Sequence, residues 1–133
     1  MALQYSTAVN NARLDAIETA IGATAILRIR TGAPPANCGT ADSGTVLATL
    51  TLPADWMAAA SGGVKAKAGV WQDASADATG TAAHWRIYDA AGTVCGMQGT
   101  YGTSGADMNG DSVSFTAGQS FTVNSFSLTA ANA

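Results

Sequence analysis

The segment 107–112 carries the side chains of this sequence that come closest to a metal site. Asp107, Asn109 and Asp111 place oxygen ligands at positions 1, 3 and 5 of a loop, which is how an EF-hand calcium loop begins. The match then fails, because the required glycine stands at position 4 instead of 6 and position 12 is a glycine instead of a glutamate. Two interpretations remain, a calcium turn of another kind and a plain Asp/Asn/Gly turn between strands, and we favour the second.

Catalysis by acid–base or nucleophilic chemistry needs a histidine, a carboxylate pair or an activated nucleophile. The one histidine, His84, alternates with Trp85 along a predicted strand, so we expect it to point away from the apolar face, towards solvent or an interface. No Gly-x-Ser-x-Gly elbow is present to hold a nucleophile. Most aspartates stand in turns, where Asp side chains bind nearby backbone N–H groups. We therefore predict that the protein is not an enzyme and uses no cofactor.

Five aromatic residues could form a stacking platform for a sugar: Trp56, Trp71, Trp85, Tyr88 and Tyr101. Packing in a core is the commoner destination of such residues. The segment 55–63 presents the same choice, because it is either a short turn that buries Trp56 or a mobile loop that offers Trp56 to a partner. The platform interpretation keeps a carbohydrate-binding module among the alternatives.

The two cysteines, Cys38 and Cys95, are too few and too far apart for a disulfide scaffold or a zinc site with paired ligands. Two buried thiols are the simpler interpretation. A bridge between Cys38 and Cys95 is the alternative, and it requires that the protein leave the reducing cell.

Charge is scarce in this chain. Only 11% of the 133 residues are charged, against about 25% in an ordinary domain. Six Lys/Arg and nine Asp/Glu give a net charge of −3, which excludes nucleic-acid binding through phosphate neutralisation. A neutral surface of small residues repels its neighbours weakly, and this favours a chain packed in an assembly. The sequence shows no targeting or membrane-spanning segment, so we expect synthesis in the cytoplasm and no membrane partner.

A helix is predicted over 7–21, with Thr7 as its cap and Gly22 just past its end. Its apolar residues fall on one stripe, at Leu14, Ile17 and Ile21. This helix is either a lid on the rest of the chain or a projecting arm.

Seven short strands are predicted after the helix, separated by turn residues: 25–31, 45–52, 66–72, 81–88, 93–101, 112–116 and 120–129. This pattern is typical of a mainly β fold, an antiparallel β-sandwich or jelly roll with an N-terminal α-helix or arm. The predicted organisation is an arm and helix over residues 1–22 and a single β-sandwich domain over 23–133.

The chain resembles a family of small tailed-bacteriophage virion proteins. The resemblance lies in 1–18, Leu27-Arg28-Ile29, 31–38, Ala48-Thr49-Leu50, Leu52-Pro53, Asp55-Trp56-Met57, 116–119 and Thr122-Val123. It implies a structural component of the virion, a capsid decoration or cement protein on the capsid surface, and it carries no catalytic residues across. The expected partners are the major capsid protein and further copies of this chain. A tail or fibre component and a carbohydrate-binding module are the alternatives.

Six residues are predicted to form the partner interface: Leu14, Ile17, Ile21, Arg13, Arg28 and Arg30. The apolar stripe of the helix would lie across a neighbouring subunit as a clamp. The arginines would meet an acidic surface of the shell, because the cations are concentrated in the first two thirds of the sequence.

Overall fold

The computed structural model describes residues 3–130, so the first two residues of the predicted arm and the last three of the predicted domain lie outside the described part. Within it the protein is mainly β, with 40% of residues in strands and one helix. The elements are α1 (Thr7–Ile21), β1 (Ile26–Thr31), β2 (Val46–Thr51), β3 (Val64–Ala66), β4 (Gln72–Asp73), β5 (Gly80–Tyr88), β6 (Cys95–Gly102), β7 (Met108–Gly110), β8 (Ser114–Phe115) and β9 (Phe121–Thr129).

The strands form one curled sheet with the shape of a half-barrel, in the order β2-β1-β5-β6-β7-β9-β3. Strand β4 pairs with β9 and β8 pairs with β5, both off this path. All pairs are antiparallel except β6 and β7, which run parallel where Tyr101 faces Met108 and Gly102 faces Asn109. The predicted antiparallel sandwich or jelly roll is therefore not confirmed, because the sheet is mixed. The difference arises at the connection 103–107, which starts β7 beside the end of β6.

Two segments differ from the predicted strands. The predicted strand 66–72 is interrupted, because β3 ends at Ala66 and β4 begins at Gln72. Between them the indole N–H of Trp71 donates to the carbonyl of Ala68 at 3.1 Å, which closes a local turn. The second segment is β7, a strand in the region that the sequence indicated as a turn.

The interior of the half-barrel holds the apolar residues. Leu27 and Ile29 of β1 are fully buried, as their alternation with arginines predicts. The five aromatic residues considered for a sugar platform are buried as well: Trp56, Trp71, Trp85, Tyr88 and Tyr101. Trp56 and Trp71 pack on each other with ring centroids 6.0 Å apart. The core interpretation is thus confirmed for segment 55–63 and for the aromatic residues other than Tyr88. The ring of Tyr88 is buried outside the core, against the side chain of Arg28.

Helix α1 begins and ends close to the predicted residues. The side chain of Ser6, and not of Thr7, caps it by accepting the N–H of Val9 at 3.2 Å. Gly22 ends it with φ 102°, a backbone conformation that favours glycine. Residues 3–130 contain no helix that is long and apolar enough to cross a bilayer.

The helix lies against the body through a polar stripe, formed by Asn11, Asp15 and Glu18. Each of these side chains accepts one backbone N–H from the segment 57–63, at 2.9 to 3.0 Å. The spacing of four and three residues puts the three acceptors on one face of α1. The helix is therefore a lid and not a projecting arm.

Lys65 of β3 also contacts the polar stripe of the helix. Its buried ammonium lies 2.7 Å from Oδ1 of Asp15 and 3.0 Å from Oε1 of Glu18. Burial disfavours the charged amine, but the two carboxylates outweigh it and raise the pKa of Lys65. The hydrogen bond from Lys65 in turn lowers the pKa of Asp15.

Candidate functional site

Four basic side chains lie side by side on the outer face of β1 and β5, and we call them the arginine face: Arg28, Arg30, His84 and Arg86. Strand alternation places them there, because the intervening residues of both strands point into the half-barrel. The antiparallel register sets Arg28 opposite Arg86 and Arg30 opposite His84. The segment 32–45, which we call the covering loop, lies over this face and supplies the groups that bind it.

Asp42 of the covering loop is the counter-ion of the arginine face. Its Oδ2 lies 3.1 Å from Nη2 of Arg30, and its Oδ1 pairs with Nη1 of Arg86. The hydroxyl of Tyr88 also donates to Oδ1, at 2.6 Å. Burial alone would raise the pKa of Asp42, but the donors and charges around it hold that pKa below its usual value. One carboxylate thus binds two guanidinium groups.

Arg86 fastens the covering loop to the sheet. Its Nη2 lies 3.3, 2.9 and 3.1 Å from the carbonyl oxygens of Asn37, Cys38 and Thr40. Its side chain is only 2% exposed. The planar guanidinium supplies donors in several directions at once, which suits a group that ties a carboxylate and three carbonyls together. Arg86 therefore binds groups of the protein itself.

His84 does not point to solvent or to an interface, so that expectation is wrong. The side chain is fully buried, and its Nδ1 lies 2.7 Å from the carbonyl oxygen of Gly32. Its Nε2 has no hydrogen-bond partner among the described residues. Burial lowers the pKa of His84, with further lowering from the charges of Arg30 and Arg86. Alternation assigned the correct face, but the covering loop encloses that face.

The apolar residues of the predicted interface lie partly inside the protein. Leu14 is buried, while Ile17 and Ile21 are half-buried. Ile21 packs on Gly96 of β6, where an added Cβ would lie 2.6 Å from Cγ1 of Ile21. The stripe therefore covers the protein's own sheet over much of its length.

The three arginines of the predicted interface divide in the same way. Arg30 is buried at Asp42, and Arg28 is half-buried with its guanidinium carbon 4.7 Å from the centroid of the Tyr88 ring. Arg13 is exposed on α1 and lies over the ring of Tyr5 at 4.7 Å. Arg13 is thus the most exposed of the three arginines.

Asp107 and Asn109, two of the calcium candidates, hold the chain around β7. Oδ2 of Asp107 accepts the backbone N–H of Thr100 at 2.9 Å and its hydroxyl at 3.1 Å. Asn109 exchanges two hydrogen bonds of 3.2 Å with the backbone of Ala106, while Asp111 follows β7 and is exposed. Among residues 3–130, no group of three or more His, Cys, Asp and Glu side chains is placed to hold a metal ion.

A second region, which we call the β6–β9 cleft, opens where β7 begins. Strand β7 has three residues and separates β6 from β9 by the width of one strand. On the side that leads to α1, no strand of the described residues lies between residues 95–100 of β6 and residues 127–129 of β9. The resulting cavity has a volume of about 580 Å³. Sequence analysis did not predict it.

The backbone of β9 directs N–H and C=O groups into this cleft. Phe126 accepts the N–H of Lys67 and Ala130 donates to Gly63, so the even-numbered residues of this stretch face β3. Because residues of an antiparallel strand alternate, the N–H and C=O groups of Ser127 and Thr129 face the opposite side. No strand of residues 3–130 pairs with them on that side.

The backbone of β6 faces the cleft from the other side. Thr100 turns towards it, but its N–H binds Asp107 and its carbonyl accepts the indole N–H of Trp85 at 2.9 Å. Two residues earlier, the backbone of Gln98 faces the same way and pairs with no strand among residues 3–130. Side chains therefore bind the backbone of the cleft next to β7. Further from β7, the cleft is open.

The floor of the cleft is apolar and its walls are neutral. The rings of Trp85 and Phe126 meet edge to face below it, with centroids 5.1 Å apart. Ser125, Ser127 and Thr129 line one wall. The one carboxylate of the lining belongs to Asp107, which already binds Thr100. Such a lining suits an extended, uncharged chain segment.

The two regions differ in what they can do chemically. The buried groups of the arginine face bind each other and the covering loop, and His84 is closed off from solvent. The cleft offers backbone hydrogen bonds and apolar contact. No family model, curated protein or solved structure matches this chain.

Proposed function

We propose that the protein is a non-enzymatic structural component of a tailed-bacteriophage virion, where it binds the outside of the capsid and stabilises the shell as a decoration protein. The observation that supports attachment is the β6–β9 cleft, an opening one strand wide. The backbone groups of Gln98, Ser127 and Thr129 face it from its two sides, and no strand of residues 3–130 pairs with them there. A sheet with such an opening binds an extended segment by adding it as a strand. The resemblance of the sequence to small virion proteins supports the setting.

The occupant of the cleft is an extended segment of the major capsid protein. Between the cap at Asp107 and the contact of Ile21 with Gly96, the slot has room for roughly four residues at 3.3 Å each. The neutral lining selects a segment of alternating apolar and small polar residues. A symmetric shell presents the same segment many times, so copies of this chain bind in register and form a homo-oligomer on the virion.

The N-terminal region, from the segment before α1 to the second turn of that helix, supplies a second contact. Leu3 is 67% exposed and Val9 is 45% exposed, although both are large apolar residues. Arg13 lies nearby on the exposed side of α1. This combination of apolar and basic groups suits the acidic and apolar surface of a neighbouring shell subunit.

Substitution of Ser127 tests the attachment surface. Ser127→Pro removes the N–H that faces the cleft, while the hydrogen bonds to β3 use the neighbouring residues. We expect binding to shells of the same phage's major capsid protein to fall about ten-fold or more, the loss of a hydrogen bond together with a steric clash. Ser127→Ala is the matched control and should bind as the unaltered protein does. Equal binding by both variants would show that the cleft is not the attachment surface.

A reconstruction of the virion tests the setting itself. We expect density of this chain at symmetry-equivalent positions on the outer capsid surface. Density in the tail or fibre instead would replace the decoration role with the tail alternative. Absence of the chain from purified virions would overturn the proposal as a whole.

A further inference from the structure

The two cysteines of the chain lie together although they stand far apart in the sequence. Cys38 belongs to the covering loop and Cys95 is the first residue of β6. Both are half-buried, both are free thiols, and both line an opening of about 210 Å³ beside Arg86 and Asp42. The opening gives a small oxidant access to the pair.

The surrounding contacts fix both cysteines. Arg86 donates to the carbonyl of Cys38 at 2.9 Å, which holds that part of the covering loop on the sheet. Cys95 lies opposite Tyr88 in the β5–β6 pair, and Tyr88 is two residues from Arg86 along β5. The thiol of Cys95 donates to the carbonyl of Met97 at 3.4 Å. Burial, and next the neighbouring thiol of Cys38, raise the pKa of Cys95.

We propose that Cys38 and Cys95 are a disulfide-forming pair, and that the bridge locks the covering loop onto the arginine face. The oxidant is a small disulfide of the class of oxidised glutathione. The Cys38 thiolate attacks one sulfur of the oxidant, forming a mixed disulfide and releasing one glutathione thiolate. Cys95 loses its proton to solvent and attacks the Cys38 sulfur, which releases the second glutathione thiolate. Two protein thiols are oxidised and one glutathione disulfide is reduced.

The chemistry of the cysteine pair depends on the fold and not on where the protein resides. In a virion the bridge would form after release from the reducing cytoplasm. It would then secure a loop that otherwise depends on noncovalent contacts to Arg86 and Arg30.

The test compares oxidation of the folded protein with oxidation in urea. The reduced chain is titrated with buffers of fixed reduced and oxidised glutathione, quenched with acid, and its bridged fraction is measured by intact mass and by non-reducing peptide mapping. Because the fold holds the thiols together, we expect the equilibrium constant for the internal bridge to be at least about ten-fold larger in the folded chain than in urea.

Three further readouts decide the outcome. The oxidised protein should unfold at a higher temperature than the reduced protein, and a reductant should reverse the difference. Cys38→Ser should yield a mixed disulfide of Cys95 with glutathione and no such thermal shift. Mixed disulfides at both cysteines of the unaltered protein, bridges between two chains, or equal bridging in folded and unfolded states would each overturn the proposal.

Discussion

The arginine face and the β6–β9 cleft meet at Gln98. The two regions differ in whether their polar groups are bound within the protein. The side chain of Gln98 donates to the carbonyl of Pro35 in the covering loop at 2.7 Å, while its backbone faces the open cleft. On the arginine face, buried charges are bound within the molecule. In the cleft, neutral backbone groups pair with no strand of residues 3–130.

This difference explains the role of the few charged residues. Buried charges must be paired, because their desolvation is costly. The protein meets this requirement with Asp42 at Arg30 and Arg86, and with Asp15 and Glu18 at Lys65. Fold stability therefore depends on the ionic clusters, whereas the cleft that we propose for binding is almost without charge.

The largest expected effect is that of Asp42→Asn. This change leaves Arg30 and Arg86 without their shared carboxylate, so we expect the free energy of unfolding to fall by about 2 to 4 kcal/mol. The value lies below that of a fully enclosed pair, because 39% of the Asp42 side chain is exposed. Urea denaturation measures it. Asp111→Asn makes the same chemical change at an exposed site and should alter stability by less than about 0.5 kcal/mol. Equal losses in the two variants would contradict the special role of the arginine face.

A smaller effect is expected from the pH dependence of His84. Burial lowers its pKa, so the unfolded chain takes up a proton below about pH 6.5 that the folded chain does not. The contribution of His84 to stability is therefore complete above that pH. It falls by about 1 kcal/mol as the pH drops towards 5. The carboxylates with lowered pKa lose their contribution only at more acidic pH.

His84→Asn is the variant that isolates this effect. Its side-chain amide can still donate to the carbonyl of Gly32, but it does not titrate. We expect urea midpoints of the variant to be flat between pH 7 and 5, where those of the unaltered protein decline. A decline of the same size in both proteins would assign the effect to other groups.

The smallest effect on stability is expected in the cleft. Ser127→Pro removes an N–H that pairs with no strand of the described chain, so the free energy of unfolding should fall by less than about 1 kcal/mol. Leu128→Pro removes an N–H directed at β3 and should cost about 3 kcal/mol. Thermal unfolding monitored by circular dichroism compares the two variants. A larger loss for Ser127→Pro would show that the cleft side of β9 is bonded within the fold.

Local patterns in the sequence predicted much of the fold. Helix α1 follows from the stripe at Leu14 and from Gly22 at its end, because periodicity and capping act within a few residues. Strand β1 follows from alternation, which places Leu27 inside and Arg28 on the other face. These features depend on neighbours along the chain.

The candidate sites could be predicted only in part. Asp107 and Asn109 belong to residue types that favour turns. Pairing with β6 and β9 on both sides nevertheless forms a strand in their segment. The spacing of the polar stripe, formed by Asn11, Asp15 and Glu18, is visible in the sequence. Polar residues on a helix normally face water, however. Contact with the segment 57–63 gave that stripe its role.

The sequence by itself determined a low-charge, mainly β chain with an N-terminal helix. The tertiary structure decided which charges are buried, because Asp42 lies 12 residues from Arg30 and 44 from Arg86 and meets both only through the covering loop. It also decided where the sheet stays open, since β7 ends after three residues and no local signal sets the distance between β6 and β9. Burial and strand pairing depend on contacts between distant segments, and neither is encoded in the spacing of neighbouring residues.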